Sequence, residues 1–375
     1  MPVNTEAAAE AGLPGLRVRS AAVRAVRVPL RFTLGTSADE VRAVPLVLLD
    51  LHTSGGVTGR AYAFGYTAAG ARAIAALAGE AAGLVGNEPV APGPILRRLS
   101  RRYTLLGVTG AVRIALSTLD MALWDALAQA LGQPLATVLG AHPRPVPAYD
   151  SRGLGLMDPA RLADEAAMLL GSSGLGAVKV RLGHPTLDAD LAAVEAVRAA
   201  IPASAGIMVD YNQALDPAEA MRRGRALDGR GLVWLEEPVR HDDYAACRAL
   251  SAALDLPVQI GENFNGPAAM SEALAAGACD LAMPDVTRIG GVTGWMQAAA
   301  LAEARSVPLS SHLMPEVCAS LLAASATAHW LEYVDWADAI LAEPFRPQGG
   351  ALAAPSCPGS GIRWDEDRIA RLERL

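Results

Sequence analysis

The rhythm of apolar and polar positions along this chain changes once, near residue 145. Before that point, Val18–Pro29, Pro45–His52 and Gly59–Tyr66 alternate or run apolar, and Ser54-Gly-Gly56 supplies a turn between the last two. This spacing predicts three strands. Ala69–Leu84, Pro94–Tyr103 and Gly110–Leu131 then carry apolar residues at three- and four-residue intervals and predict helices. In the last of these, Ile114, Leu116, Leu119, Met121 and Leu127 spread over the buried side. Strands followed by a run of helices make an α+β unit, which Gly132-Gln-Pro134 and the turn-rich Gly140–Pro145 stretch bring to an end. Between the first two strands, the polar Arg31–Val44 stretch reads as a loop, either a plain connection or a mobile lid over a site.

Beyond residue 145 short apolar runs alternate with helical patterns. Strands are predicted at Val146–Asp150, Gly176–Leu182, Gly206–Asn212, Leu232–Glu237, Pro257–Glu262, Leu281–Asp285, Pro308–Leu313 and His329–Val334. Parallel strands joined by right-handed helical crossovers in this number close into a barrel rather than an open sheet. The division is therefore a flexible tail over residues 1–15, an α+β domain over 16–140 and a barrel over 141–340. A final segment, 341–375, returns through Pro and Gly turns to pack on the first domain.

Three of the barrel strands end alike, on a carboxylate after an apolar run: Ile207-Met-Val-Asp210, Leu232-Val-Trp-Leu-Glu236 and Pro257-Val-Gln-Ile-Gly-Glu262. The intervals are 26 residues each, one strand plus one returning helix. Equivalent positions on neighbouring parallel strands lie at the same end of the sheet, so these acids converge where barrel enzymes place their chemistry. Each alone could cap a helix or meet an arginine; three in register repel one another unless a hard cation neutralises them. All-oxygen ligation suits Mg²⁺ or Mn²⁺.

The neighbouring strand ends extend the set. Lys179 and Arg181 share one face at i, i+2 spacing, either as buried ion pairs or as a grip on an anionic substrate. Asp285 and His312 end adjacent strands and can form a dyad in which the carboxylate orients the imidazole. Glu332 ends the last strand. Metal, cations and such a base together suit removal of a proton α to a carboxylate, where the dianionic product needs charge stabilisation as it forms; a Lys or His base beside Mg²⁺ is a general solution for enediolate formation.

Composition narrows the alternatives. The chain has 375 residues, 52% apolar and 19% charged, which fits a globular protein with a large core. A net charge of −7 and the lack of a basic run argue against a nucleic-acid partner. No apolar run is long enough to span a bilayer and no signal pattern opens the chain, so a cytoplasmic protein without a membrane partner is expected. The four scattered cysteines read as reduced thiols. Gly290-Gly291 reads as a plain turn, and there is no dinucleotide, Walker or nucleophile-elbow motif.

The strings Ile207-Met-Val-Asp-Tyr-Asn-Gln213, Gly261-Glu-Asn263, Met283-Pro-Asp285, Ile289-Gly-Gly-Val-Thr-Gly-Trp295, Ser310-Ser-His-Leu313 and His329-Trp-Leu-Glu332 resemble the enolase superfamily. Within it the chain is most similar to the mandelate racemase subgroup of the mandelate racemase/muconate lactonizing enzyme family, from about Val18 to Ile362. The resemblance implies a modified TIM barrel, (β/α)7β, under an N-terminal α+β capping domain. It also implies Mg²⁺ on Asp210, Glu236 and Glu262, with Asn212 beside metal and substrate. Lys179 would neutralise the substrate carboxylate, Asp285 and His312 would form the base dyad, and Glu332 would be a protonated acid donating to that carboxylate. Arg31–Val44 would be the flap over the site, with Leu34, Val41 and Tyr66 as pocket walls. Homo-oligomers, often octamers, are common in the family.

One position departs from the pattern: where the racemase has a second lysine, as base on the face opposite the histidine, this chain has Arg181. Guanidinium stays protonated up to a pKa above about 12 and is a poor acceptor near neutrality. A single base at His312 suits β-elimination of water from a hydroxy acid such as an acid sugar, and the polar Asp39, Glu40 and Arg42 of the flap suit a hydroxylated substrate. The alternatives are a racemase or epimerase of a 2-hydroxy acid, with Arg181 opposing His312, and a metal-binding homologue without activity.

Overall fold

The computed structural model describes residues 15–36 and 40–375. The expected tail up to residue 14 and positions 37–39 of the expected flap, Asp39 among them, lie outside the described residues. Strands β1 (Val18–Gly35), β2 (Glu40–Thr53) and β3 (Thr58–Phe64) form an antiparallel meander. Three helices follow: α1 (Ala68–Leu84), α2 (Pro92–Arg102) and α3 (Gly110–Ala130). Helix α3 crosses β3 so closely that a Cβ at Gly59 would fall 2.0 Å from the Ala122 carbonyl oxygen. The short α4 (Leu135–Val138) then leads into the second unit.

That unit is built from β4 (Pro145–Asp150), α5 (Pro159–Ser173), β5 (Ala177–Arg181), α6 (Leu187–Ala200), β6 (Gly206–Asp210) and α7 (Pro217–Leu227). It continues through β7 (Leu235–Glu236), α8 (Tyr244–Ala253), β8 (Val258–Ile260), α9 (Pro267–Ala276), β9 (Leu281–Ala282), α10 (Val286–Ile289) and α11 (Gly291–Ala304). Helix α12 (Pro315–Ala323) and strand β10 (Leu331–Tyr333) complete it. The strands pair in parallel in the order β10-β4-β5-β6-β7-β8-β9. Because β10 is followed by no barrel helix, the architecture is (β/α)7β, as expected. Tyr149, Met208, Trp234 and Leu281 pack together within the strands, so the barrel is filled rather than open.

The seventh strand is less regular than its sequence suggested. Pro308–Leu313 contributes single bridges, Leu309 to both Ala282 and Ala328, which still close the ring. Part of its ladder is taken over by hydroxyls: the Glu332 N–H donates to Ser311 Oγ at 3.2 Å and the Trp330 N–H to Ser310 Oγ at 3.4 Å. Serine side chains compete with a strand's own backbone in this way.

The Arg31–Val44 stretch is a second difference. Most of its described residues are strand rather than loop: β1 runs to Gly35, β2 begins at Glu40, and Leu34 lies opposite Val41. The missed signal was Arg31-Phe-Thr-Leu34, whose alternating exposed and buried positions keep the strand period among polar neighbours. The hairpin rests on the barrel: the Leu156 N–H donates to the Gly35 carbonyl at 2.9 Å, and a Cβ at Gly155 would lie 2.3 Å from Gly35 N.

The C-terminal segment ties the two units together. Strand β11 (Ala351–Ala353) pairs antiparallel with β4, and after α13 (Glu366–Ile369) strand β12 (Glu373–Arg374) pairs with β1. Asp125, buried on α3, accepts from Arg60 N (2.7 Å), Ser360 N (2.6 Å) and Ser360 Oγ (2.8 Å), so one carboxylate joins α3, β3 and this segment. Replacing Asp125 by Ala strands two buried backbone N–H groups, and urea unfolding is expected to show a loss of about 3 kcal/mol. A loss below about 1 kcal/mol would contradict the hub role.

Candidate active site

Parallel ladders place the end of each barrel strand beside its neighbour's: Arg181 pairs with Asp210, and Asp210 with Glu236. The chain must leave these ends steeply, and Leu154, Asn212, Gln213, Glu237, Leu313 and Met314 all take left-handed backbone there. Such conformations are costly for non-glycine residues and concentrate at functional sites.

Lys179 stands at the centre. Its ammonium, 2% exposed, lies 2.5 Å from Glu236 Oε1, 2.8 Å from Glu332 Oε1 and 3.3 Å from Asp210 Oδ2. Burial alone would discharge the amine, but Glu236, Glu332 and Asp210 hold its pKa well above the ordinary lysine value. Glu236 also accepts from Trp234 Nε1 at 2.8 Å. Its carboxyl is pushed up to about 8, first by burial and then by the other acids, against the pull of Lys179. Asp210 accepts from Asn212 through both oxygens, at 2.7 Å from the backbone N–H and 3.0 Å from Nδ2.

Glu262 faces the other way, with Oε2 at 3.2 Å from His312 Nε2. The other ring nitrogen, Nδ1, is 2.8 Å from Asp285 Oδ2, and Asp285 in turn accepts from the Thr287 N–H and hydroxyl. Burial disfavours the imidazolium, yet Glu262, Asp285 and Glu332 outweigh it and push His312 up to about 10. Asp285 is held below its usual value despite burial, because His312 and Thr287 donate to it.

Two site residues behave differently from expectation. Glu332 was expected to be a protonated donor. Instead both its oxygens accept, Oε1 from Lys179 and from Ser151 Oγ (2.7 Å), Oε2 from the Leu313 N–H (2.8 Å). Burial would raise its pKa, but Lys179 and His312 outweigh it and hold it below the usual carboxylate range. Arg181 points to the β4 loop rather than across the cleft. Its Nη1 donates to the carbonyls of Ser151 (3.2 Å) and Gly153 (2.5 Å), and its Nη2 to Ser151 Oγ (2.7 Å). With that hydroxyl oxygen occupied as acceptor, its proton goes to Glu332.

The donor set fits a hard divalent cation. Asp210, Glu236, Glu237 and Glu262 crowd three adjacent strand ends, with Lys179 as the nearest ammonium, and the buried Asn212 Oδ1 has no donor. In the structure these acids lean on Lys179 and His312, and no three His, Cys, Asp or Glu side chains among the described residues form a closed ligand cluster.

Two family models cover most of the chain. The mandelate racemase/muconate lactonizing enzyme N-terminal domain matches residues 18–140, and the enolase C-terminal domain-like model matches 161–368. The chain belongs to the mandelate racemase/muconate lactonizing enzyme family. An enolase from the alpha proteobacterium bal199 with bound Mg superposes with a TM-score of 0.94 at 41% identity, over 96% of this chain and 100% of that one. An enolase from Bradyrhizobium complexed with magnesium and mandelic acid gives 0.92 at 37%, over 96% and 99%. The L-talarate/galactarate dehydratase of Salmonella typhimurium is 29% identical over 86% of this chain and 81% of its own.

For a member of this family, the residues not singled out from sequence are those that hold the acids in place. Glu237, adjacent to Glu236, is buried and accepts from Asn263 Nδ2 at 3.1 Å; that amide also reaches Glu262 at 3.2 Å. Burial, and then Glu262, raise the Glu237 pKa well above its usual value. Arg288 donates to Asn263 Oδ1 at 2.7 Å and to the Tyr66 hydroxyl at 3.0 Å, so Tyr66 is linked to the acids through two side chains. Leu34 is buried and Val41 half-buried in the hairpin. The Glu236-Glu237-Pro238 string was the available signal for Glu237; Ser151 had none.

In the metal-free protein, NMR titration of the His312 ring is expected to give a pKa near 10, falling toward the ordinary value in Glu262→Gln. Since the folded value is raised, the stability His312 contributes is fully present below about 6.5 and is lost as pH rises through about 10. A titration near 6.5 in both proteins would contradict the ion-pair geometry.

Proposed function

We propose that this protein is a Mg²⁺-dependent dehydratase of an acid sugar, removing water from a 2,3-dihydroxy acid to give a 2-keto acid. The observation that carries the reading is the anchoring of Arg181 on Ser151 and Gly153, which leaves His312 as the base on one face only. Racemisation needs a proton partner on both faces, whereas elimination needs one.

Asp210, Glu236 and Glu262 would hold the Mg²⁺, with Asn212 beside them; Mn²⁺ has the same ligand preference. Bound there, the cation would stabilise the negative charge that develops on the substrate carboxylate. Lys179 adds a fixed positive charge at a buried position, where electrostatic stabilisation is stronger than in water. His312 Nε2 takes the proton from Cα, and Asp285 holds the ring through Nδ1 so that Nε2 is the nitrogen presented. The C–H electron pair forms the carbon–carbon double bond as the C3–O bond breaks. The leaving hydroxyl takes its proton from His312, giving water, and the enol tautomerises to the keto acid. In the metal-free protein the Glu262 carboxylate holds the His312 Nε2 at 3.2 Å; engaged as a metal ligand, Glu262 would release that imidazole nitrogen to accept.

The dehydratase relative supports this reading. A 2-hydroxy acid racemase or epimerase is the second, favoured by the mandelic acid in the Bradyrhizobium relative. The proposal includes a cytoplasmic homo-oligomer with a small carboxylate as its only substrate partner; among the described residues no helix is long and apolar enough to cross a membrane.

Acid sugars incubated with the Mg²⁺-loaded protein are expected to yield 2-keto acids, and His312→Asn to lower the rate by about 10³-fold. Inversion of a 2-hydroxy acid, with solvent deuterium entering from both enantiomers and no keto acid from any sugar, would replace this reading with the racemase.

A further inference from the structure

Away from the catalytic cleft, a cavity of about 250 Å³ lies where α2 and α3 of the capping domain meet the start of α11 on the barrel. Arg97, Ser100 and Arg101 line it from α2, Arg113 from α3, and Gln297 from α11, while Gly290 and Gly294 keep one wall free of side chains. No carboxylate lines it. The nearby Asp120 is already committed, accepting from the Thr293 N–H (2.9 Å) and hydroxyl (2.6 Å) at the start of α11. Among the described residues, none of the three arginines has an ion pair or a side-chain hydrogen bond.

Exposed arginines on a helix face are ordinarily solvated and need no partner, which suffices for Arg97 and Arg101 taken alone. Arg113 is different. It is half-buried, its Nε is sealed from water with nothing to donate to, and burial without a compensating acid lowers its pKa. Its guanidinium fits over Gly266 and beside Gly290, where added Cβ atoms would come within 3.0 and 3.7 Å of its nitrogens. A buried donor left unpaired costs stability, and Arg97 and Arg101 line the same cavity. Arginine forks match the oxygens of phosphates and carboxylates.

We propose that this groove binds a small, multiply charged oxyanion, a phosphate ester or a dicarboxylate, held by Arg97, Arg101 and Arg113. Such a ligand bridges the capping domain and the barrel. Arg113 also lines the neighbouring cavity with Asn263 and Arg288, which places the groove one layer behind the residues that hold Glu237 and Glu262.

The test is calorimetry on the full-length, Mg²⁺-loaded protein at constant ionic strength, with inorganic phosphate and with malonate. Saturable binding of either is expected, at least tenfold weaker in the Arg97→Gln/Arg101→Gln double variant and lost in Arg113→Gln. The double variant is expected to keep the wild-type melting temperature without anion, and phosphate or malonate should raise that temperature in the wild type only. Phosphate alone binding supports a phosphate ester, and malonate alone supports a dicarboxylate. Binding unchanged in the double variant would put the anion in the catalytic cleft and overturn the proposal, as would no saturable binding of either.

Discussion

The buried end of the barrel is organised around the ammonium of Lys179. Its ammonium touches Glu236, Glu332 and Asp210 at once, all nearly inaccessible to water. Removing one member of such a buried set leaves uncompensated charge and costs about 3–5 kcal/mol. The set holds an excess of acids as it stands: in the metal-free protein Glu262 leans on His312, and Glu236 and Glu237 are pushed toward their neutral forms. A divalent cation is the simplest partner for that excess. Burial, with the neighbouring acids adding to it, raises the pKa of Glu236.

The fold delivers this chemistry by register. Parallel pairing aligns the last residues of β5, β6 and β7, and the left-handed residues just beyond let each side chain point inward while the backbone turns away. Around this, the capping domain is fastened by buried polar contacts. Asp125 binds the C-terminal segment, Asp120 the start of α11, and the Tyr62 hydroxyl donates to Glu316 on α12, four residues past His312. His312 therefore sits on a segment braced from the other domain.

Much of this was legible in the sequence because it is periodic. The 26-residue recurrence of acids after apolar runs encodes the shared end of adjacent strands, and the Asp285–His312 pairing follows from the same alternation of strand and helix. What was not legible depends on where single side chains find partners. The i, i+2 spacing puts Arg181 beside Lys179 and leaves open an ion pair or a grip on substrate; the carbonyls of Ser151 and Gly153, in a loop without a signature, draw it aside instead. Glu332 was read as protonated, yet three donors from three different segments make it an acceptor. In Arg31–Val44 polar composition masked a strand period, and in Pro308–Leu313 two serine hydroxyls weakened a strand whose apolar run was clear.

The central claim, that the acids at the ends of β6, β7 and β8 are built around a divalent cation, is tested most directly by titrating metal-free protein with Mg²⁺ in a calorimeter. The account predicts one Mg²⁺ per chain, with affinity lowered by at least about 100-fold when either Glu236 or Glu262 becomes Gln. Mg²⁺ binding unaffected by both substitutions, or no binding to the wild type, would contradict it.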